Sequence, residues 1–339
     1  MEEFVVEALL SGDGGAQIQG AIELSKLNSK QRHRLADRGV IPPLISMLRS
    51  QDAGAIEASL FALLALAFGS ERNKIQIVKG GAIPAMVNLP RGSQPLVELT
   101  VTAMLILSSC GANKLAIASS GAIETLIAII SGEIPANPPR IAISPQTKLD
   151  AVSTLLNLST SRRIAPLIVA SGGVPSLLDL IVASSSPRSP EATEKAMAAL
   201  ENVVASSSHA IHEVAGHDGA IRALVEAVEE GSPECREHAV AILLAMVRSC
   251  RDKHREAVLR EGAVPGLLEL SVDGTWRAKE MAQHLLPLLR DCSDYGARAK
   301  HEKKQKKHEL VEQLMEEIDA EGASLRLVEE MVAKLKLDR

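Results

Sequence analysis

Aromatic residues are nearly missing from this chain of 339 residues, which holds three Phe, one Tyr and one Trp. A large mixed domain normally takes much of its buried area from such rings. With 46% hydrophobic residues and 1% aromatic, the core has to be Ala, Leu, Ile and Val, which suits helices packed at close distance. Cysteine is also scarce. Cys110, Cys235, Cys250 and Cys292 are scattered, with no CxxC pair and no clustered His/Cys spacing. That spacing predicts buried or half-buried thiols in a reducing compartment rather than a disulfide framework. No apolar run reaches the roughly 18 residues of a membrane span, and residues 1–10 are acidic with too short an apolar run for a signal peptide. An excess of basic charge is lacking too: the net charge of −5 is mild and speaks against a global nucleic-acid footprint. A cytoplasmic or nuclear protein is expected.

Motifs that carry chemistry are absent as well. There is no G-x-x-x-x-G-K-[ST] phosphate loop and no G-x-S-x-G elbow. His209, His212 and His217 lack a nearby fourth ligand for zinc and read as part of a linker between helices. The glycine cluster at 12–15 reads as a turn or frayed segment, and the pairs Glu229-Glu230 and Glu316-Glu317 as solvated helix ends or faces. The chain is therefore not expected to be an enzyme, and no catalytic residue, cofactor or metal ligand is assigned.

What the chain does have is a repeated punctuation. Residues 148–159, KLDAVSTLLNLS, read as an apolar helix with Asn157 near its end, followed by a short helix and then Gly172-Gly173-Val174-Pro175 leading into another helix. The same mark stands at Gly39, Gly81, Gly121, Gly219 and Gly262, so successive spacings from Gly39 onward are 42, 40, 51, 47 and 43. Periods of about 40–47 residues with two or three helices each indicate HEAT or armadillo repeats. A glycine at each short-helix end permits the left-handed turn that sets the next helix across the first.

Long third helices are predicted at 52–68, 94–108, 145–158, 190–205, 233–250 and 274–289, after a partial first unit whose helix covers 16–27. Ser144-Pro145, Ser189-Pro190 and Ser232-Pro233 open three of them and read as a helix cap followed by proline at the first helical position. Two surface loops stand apart. The insertion at 131–144 lengthens one period to 51, and the Ser/Pro-rich loop at 184–190 holds Ser186, the better candidate phosphosite. From about residue 292 the chain becomes a charged helical tail. It carries a candidate nuclear-import run at Lys303, Lys304, Lys306 and Lys307, a kind of run that is more often a solvated helix face, and an amphipathic stretch at 323–337. The expected organisation is an N-terminal segment 1–15, a repeat solenoid 16–291 of about six to seven units, and the tail 292–339.

The unit at 148–180 resembles an armadillo repeat. Residues 231–250, GSPECREHAVAILLAMVRSC, and 262–291, GAVPGLLELSVDGTWRAKEMAQHLLPLLRD, resemble more specifically the last repeats of plant U-box ubiquitin ligases, and the likeness runs over 16–291. The resemblance implies an all-α, right-handed armadillo superhelix whose third helices line a concave groove that binds other proteins. Those ligases carry a U-box before the repeats, and the repeats here begin by about residue 16, so a self-sufficient ligase is not expected. In armadillo proteins that bind extended peptides, a repeated Asn near the third-helix end bonds the ligand backbone and a Trp one turn earlier shelves basic side chains. Aligned on LLNL, the Asn positions here hold Lys26, Ala65, Ile106, Asn157, Asn202 and Ala245, and the earlier positions hold Ile22, Phe61, Thr102, Ser153, Ala198 and Ala241. With two Asn and no Trp, import-receptor-like recognition is disfavoured. The expected partner-binding residues are Phe61, Thr102, Ile106, Ser153, Asn157, Ala198 and Asn202, with an apolar helix or a folded domain as partner. Asn157 and Asn202 read equally well as hydrogen bonds between neighbouring repeats. Two further readings remain: an accessory role in ubiquitination and a nuclear adaptor.

Overall fold

The computed structural model describes residues 1–89, 94–133, 143–183 and 190–290. Ser186, Ser189, Cys292, the four lysines of the tail and the stretch 323–337 lie outside the described residues. Residues Met1–Leu288 form one compact unit and Leu289–Arg339 a second.

Every regular element among the described residues is helical. The chain opens with α1 (Glu2–Leu10) and α2 (Gly14–Lys26). Helical triples follow: α3 (Ser29–Asp37), α4 (Ile41–Met47) and α5 (Ala53–Ala67); then α6 (Glu71–Lys79), α7 (Ala82–Val87) and α8 (Gln94–Ser108). A 3-10 turn at Gly111–Asn113 leads into α9 (Lys114–Ala118), α10 (Ala122–Ser131) and α11 (Pro145–Ser159). The last triples are α12 (Ala165–Ala170), α13 (Gly173–Ala183) and α14 (Pro190–Val204); α15 (Ser208–Gly216), α16 (Ala220–Glu230) and α17 (Pro233–Ser249); and α18 (Arg251–Arg260), α19 (Val264–Asp273) and α20 (Trp276–Leu289).

All six marker glycines, Gly39, Gly81, Gly121, Gly172, Gly219 and Gly262, adopt positive φ between 76° and 87°. A side chain there would meet its own backbone, so glycine is what allows the chain to turn between the first and second helix of a unit. Polar caps fix the starts of other helices. Asp13, Asp52, Ser70, Ser144, Ser207 and Ser232 each accept from a backbone N–H of the first turn, and Asn28 forms a reciprocal capping box with Gln31. Each such cap stabilises its helix by roughly 1 kcal/mol. The serines of Ser144-Pro145 and Ser232-Pro233 thus act as caps.

The third helices pack consecutively, α2 on α5, α5 on α8, α8 on α11, α11 on α14 and α14 on α17. The second helices form a row of their own from α7 through α10, α13 and α16 to α19. Two stacked rows joined by short first helices make an armadillo α-solenoid, in which each unit buries its apolar face on the next. Leu155 and Leu158 on α11 are fully buried between these layers, as are Leu200 on α14 and Val240 and Leu243 on α17.

Carbonyls near the ends of the third helices accept a recurrent bond from a buried side chain of the next helix. Asn73 donates its Nδ2 to Leu66 O at 2.9 Å. Asn113 donates its Nδ2 to Leu107 O at 3.1 Å and bridges to Lys74 O at 3.1 Å. His254 donates from Nδ1 to Met246 O at 2.6 Å, which fixes the tautomer because a carbonyl can only accept. All three side chains are buried.

The expected N-terminal segment includes a helix. In α1, Val5, Val6, Ala8 and Leu9 are buried and the helix packs on α2, while Gln17 donates to Leu9 O at 3.1 Å. The glycine cluster is not frayed: Asp13 caps α2, which begins at Gly14. The histidines also differ from the sequence reading. His209 and His212 stand on α15 and only His217 lies just beyond it. Each has its own neighbour: Glu213 for His209, the Ser208 carbonyl for His212 and Asp179 for His217. Cys110 and Cys235 are buried, and burial pushes the Cys235 thiol pKa up, whereas Cys250 is exposed. Among the described residues, no single helix is long and apolar enough to cross a membrane.

Candidate functional site

Because the third helices stack on one another, residues at the same register of each helix come together along one row. Phe61 on α5 is 46% exposed. It lines a cavity of about 360 Å³ with Thr102 of α8 and Asp150 of α11. Thr102 donates its hydroxyl to Asp150 Oδ2 at 3.0 Å, tying α8 to α11. Ile106, Ser153 and Ala198 are half-buried on α8, α11 and α14. The Ser153 hydroxyl donates back to Leu149 O at 2.7 Å and so spends its proton within its own helix.

Asn157 and Asn202 make the same bond one unit apart. Asn157 Nδ2 donates to Ser108 Oγ at 3.0 Å, and Asn202 Nδ2 donates to Ser159 Oγ at 3.0 Å. The direction is set by the serines. Ser108 donates its only hydroxyl proton to Leu105 O at 2.9 Å, and Ser159 donates its own to Leu156 O at 2.8 Å. Each serine oxygen can then only accept from the amide. Both Asn side chains therefore bond neighbouring units together, and each Oδ1 accepts no hydrogen bond among the described residues.

A charged lattice that sequence reading did not single out covers the other end of the row. Glu201 on α14 accepts from His238 Nδ1 on α17 at 2.7 Å and from the Arg277 guanidinium on α20. Arg277 Nη1 also donates to Glu237 on α17 at 2.7 Å, and Thr275 Oγ1 donates to Glu237 at 2.7 Å. Burial raises the Glu237 pKa, but the bonds from Arg277 and Thr275 outweigh it and hold the carboxyl below its usual range. Burial works to lower the Arg277 pKa, and the bonds to Glu237 and Glu201 carry it above its usual value. The signal was present in the sequence as a register: Glu57, Glu98, Glu194 and Glu237 stand at one position of α5, α8, α14 and α17, each eight residues before Ala65, Ile106, Asn202 and Ala245, while α11 between them carries Leu149 there.

Nothing in this row resembles a reaction centre, and among the described residues no group of three or more His, Cys, Asp or Glu could hold a metal ion. What it offers is a long side with an exposed ring, free amide oxygens and carboxylates at one end, and paired charges at the other.

Comparison with known proteins places the chain. The plant U-box protein ARM repeat region matches residues 106–310, running past Asp291 where the sequence likeness had been drawn to end. Among solved structures, an engineered protein superposes with a TM-score of 0.70 at 21% identity, over 85% of this chain and 68% of the other. A second engineered protein gives 0.61 at 20% identity, over 73% of this chain and 96% of its own. A designed armadillo repeat protein gives 0.45 at 18% identity, over 84% and 98%. No curated protein matches the chain.

Proposed function

Since the chain belongs to the plant U-box protein ARM repeat region family, we propose that it is a non-catalytic scaffold that binds other proteins along the row of stacked third helices. The observation that carries this reading is the unbroken packing of α2, α5, α8, α11, α14 and α17, which supplies one extended side to a partner. Phe61, Thr102, Ile106, Ser153, Asn157, Ala198 and Asn202 are the residues assigned to it. Exposed carbon at Phe61 and small side chains at Ser153 and Ala198 suit an apolar helix or a folded domain. The Asn amides take part through Oδ1, since Nδ2 is committed to Ser108 and Ser159. The test is affinity capture from native tissue with wild type and with Phe61→Glu/Ala198→Glu, both verified by melting. Partners should be lost from the variant. A folded variant that keeps every wild-type partner would refute the assignment.

A second reading rests on the family itself. Repeats of this kind accompany U-boxes, so the chain would present substrates to such ligases or compete with them. Purified chain should be inactive alone in a ubiquitination assay and should change product formation when a U-box ligase is added. Robust activity of the chain alone would overturn both readings. The tail lysines Lys303, Lys304, Lys306 and Lys307 would address the scaffold to the nucleus, and changing all four to Glu should then remove a tagged chain from it.

A further inference from the structure

Ion pairs hold many of the chain's cations, but none in its middle units. Arg34, Arg38 and Arg72 pair with Glu2, Glu3 and Asp37, and Arg222, Arg236 and Arg277 with Glu226, Glu269 and Glu201. Among the described residues, 73–178 make no ion pair: Arg72–Asp37 is the last before that stretch and Asp179–His217 the first after it. The composition accounts for the gap. Residues 72–178 hold nine Lys and Arg against four Asp and Glu, in a chain whose net charge is −5. Of those four acids, Glu98 and Asp150 stand near the starts of α8 and α11, Glu124 near the start of α10 and Glu133 just past its end. At about 1.5 Å per residue, the far ends of α8 and α11 lie roughly 15 Å along the helix from Glu98 and Asp150.

At those far ends two lysines are fixed by one construction used twice. Lys74 on α6 donates from Nζ to Ser109 Oγ at 2.7 Å, and Ser109 donates its own proton to Ile106 O at 2.8 Å. Lys114 on α9 donates from Nζ to Thr160 Oγ1 at 2.6 Å, and Thr160 donates to Asn157 O at 2.9 Å. Asn113 joins the two, because its Nδ2 reaches Lys74 O and Lys114 is the next residue. Arg162 and Arg163, both exposed, follow closely on Thr160. Glu71 stands three residues before Lys74 on α6 and is not paired with it. A hydroxyl holds an ammonium in place without cancelling its charge. Each Nζ carries three protons and spends one, which leaves two for an anion. Cations held ready in this way lose less freedom when a partner binds, and like charges gathered in a strip draw the opposite charge.

We propose that the strip of Lys74, Lys114, Arg162 and Arg163 receives an acidic stretch of a bound protein. The proposal rests on the scaffold reading and names the chemistry of its partner. Ile106 and Asn157 supply the carbonyls that orient Ser109 and Thr160, so the strip borders the assigned row. The partner is then apolar along the row and carries Asp or Glu on the flank that meets the first helices. Nucleic acid fits the strip less well: residues 69–275 hold no Phe, Tyr or Trp on which unpaired bases could stack.

The test is fluorescence anisotropy of a labelled octaglutamate peptide titrated with the full chain, with an oligothymidylate of eight nucleotides as the second probe. Octaglutamate should bind saturably and more weakly as salt rises. Lys74→Gln/Lys114→Gln should weaken it at least about tenfold. The charge-matched Arg222→Gln/Arg260→Gln, at guanidiniums already paired with Glu226 and Glu256, should leave it unchanged. Ser109→Ala/Thr160→Ala keeps every charge and releases both ammoniums, so it should weaken binding about threefold. Melting verifies that each variant is folded. No saturable binding of octaglutamate, or an equal loss in the two charge-matched variants, overturns the proposal. Oligothymidylate that binds as tightly as octaglutamate and is lost in the same lysine variant overturns the assignment to an acidic protein. If octaglutamate fails to bind while Phe61→Glu/Ala198→Glu still loses its captured partners, the basic strip falls and the scaffold stands. If octaglutamate binds while that variant keeps every partner, the scaffold's row falls instead.

Discussion

Arg277 on α20 pairs with Glu201 on α14, a residue two units earlier in the chain, and holds Glu237 on the intervening α17 at 2.7 Å. One side chain thus fastens three consecutive third helices. Arg277→Ala should cost about 1–2 kcal/mol. The figure is kept low because Arg277 is 38% exposed and solvent screens the pairs. The sign of the pH dependence follows from Glu237. Its folded pKa is depressed below 4.5, so the stability it contributes is present at neutral pH and is lost as pH falls through that depressed value. Chemical denaturation across acid and neutral pH should show the difference between wild type and Arg277→Ala constant near neutrality and shrinking in acid.

The Asn–Ser bonds should behave as couplings between units. In a double-mutant cycle, Asn157→Ala and Ser108→Ala should show a coupling of about 0.5–1.5 kcal/mol, and the pair Asn202 and Ser159 a similar one. The cross pair Asn157 with Ser159 should show much less, although these residues are neighbours on α11. Equal coupling in the cross pair would mean that the bonds act within helices and not between units.

Asn113 is the stronger polar anchor. Asn113→Leu removes the side-chain donor to two carbonyls, the buried Leu107 O and the half-buried Lys74 O. A loss of roughly 2–3 kcal/mol is expected, visible as a lower melting midpoint. Because Lys74 lies in the preceding unit on α6, the melt should also broaden as neighbouring units uncouple.

Core substitutions set the upper scale. Leu155→Ala or Leu158→Ala should cost about 2–5 kcal/mol, since both side chains are fully buried and a cavity remains. Leu155→Asp places a charge in the layer between units and should abolish cooperative unfolding. Glu226→Gln, on an exposed face, should change the midpoint little. Circular dichroism with thermal melting checks all three.

How far the sequence revealed this structure depended on how local each signal was. The marker glycines were legible because positive φ is a demand on a single residue, and all six meet it. The helix Gln94–Ser108 was legible from its apolar spacing and coincides with α8. Helix α1 was missed because its nine residues carry a short apolar stripe, and the burial of Val5 and Leu9 comes from packing on α2. The histidines were misplaced into a linker because the cap that starts α15, Ser207, sits among several serines. The Asn register was visible, but its partners were not. Ser108 stands a whole unit before Asn157, and only stacking brings them to 3.0 Å. The charged lattice went unread for the same reason: Arg277 reaches Glu201 across a sequence distance that no local pattern reports.

The most direct test of the central claim compares exposed apolar side chains on different rows. Phe61 is 46% exposed on a third helix, whereas Leu115 and Leu167 are 41% and 38% exposed on the first helices α9 and α12. Hydroxyl-radical footprinting of the chain alone and saturated with a captured partner reads all three at once. The account predicts protection at Phe61 with Leu115 and Leu167 unchanged; protection at Leu115 and Leu167 with Phe61 still fully reactive would contradict it.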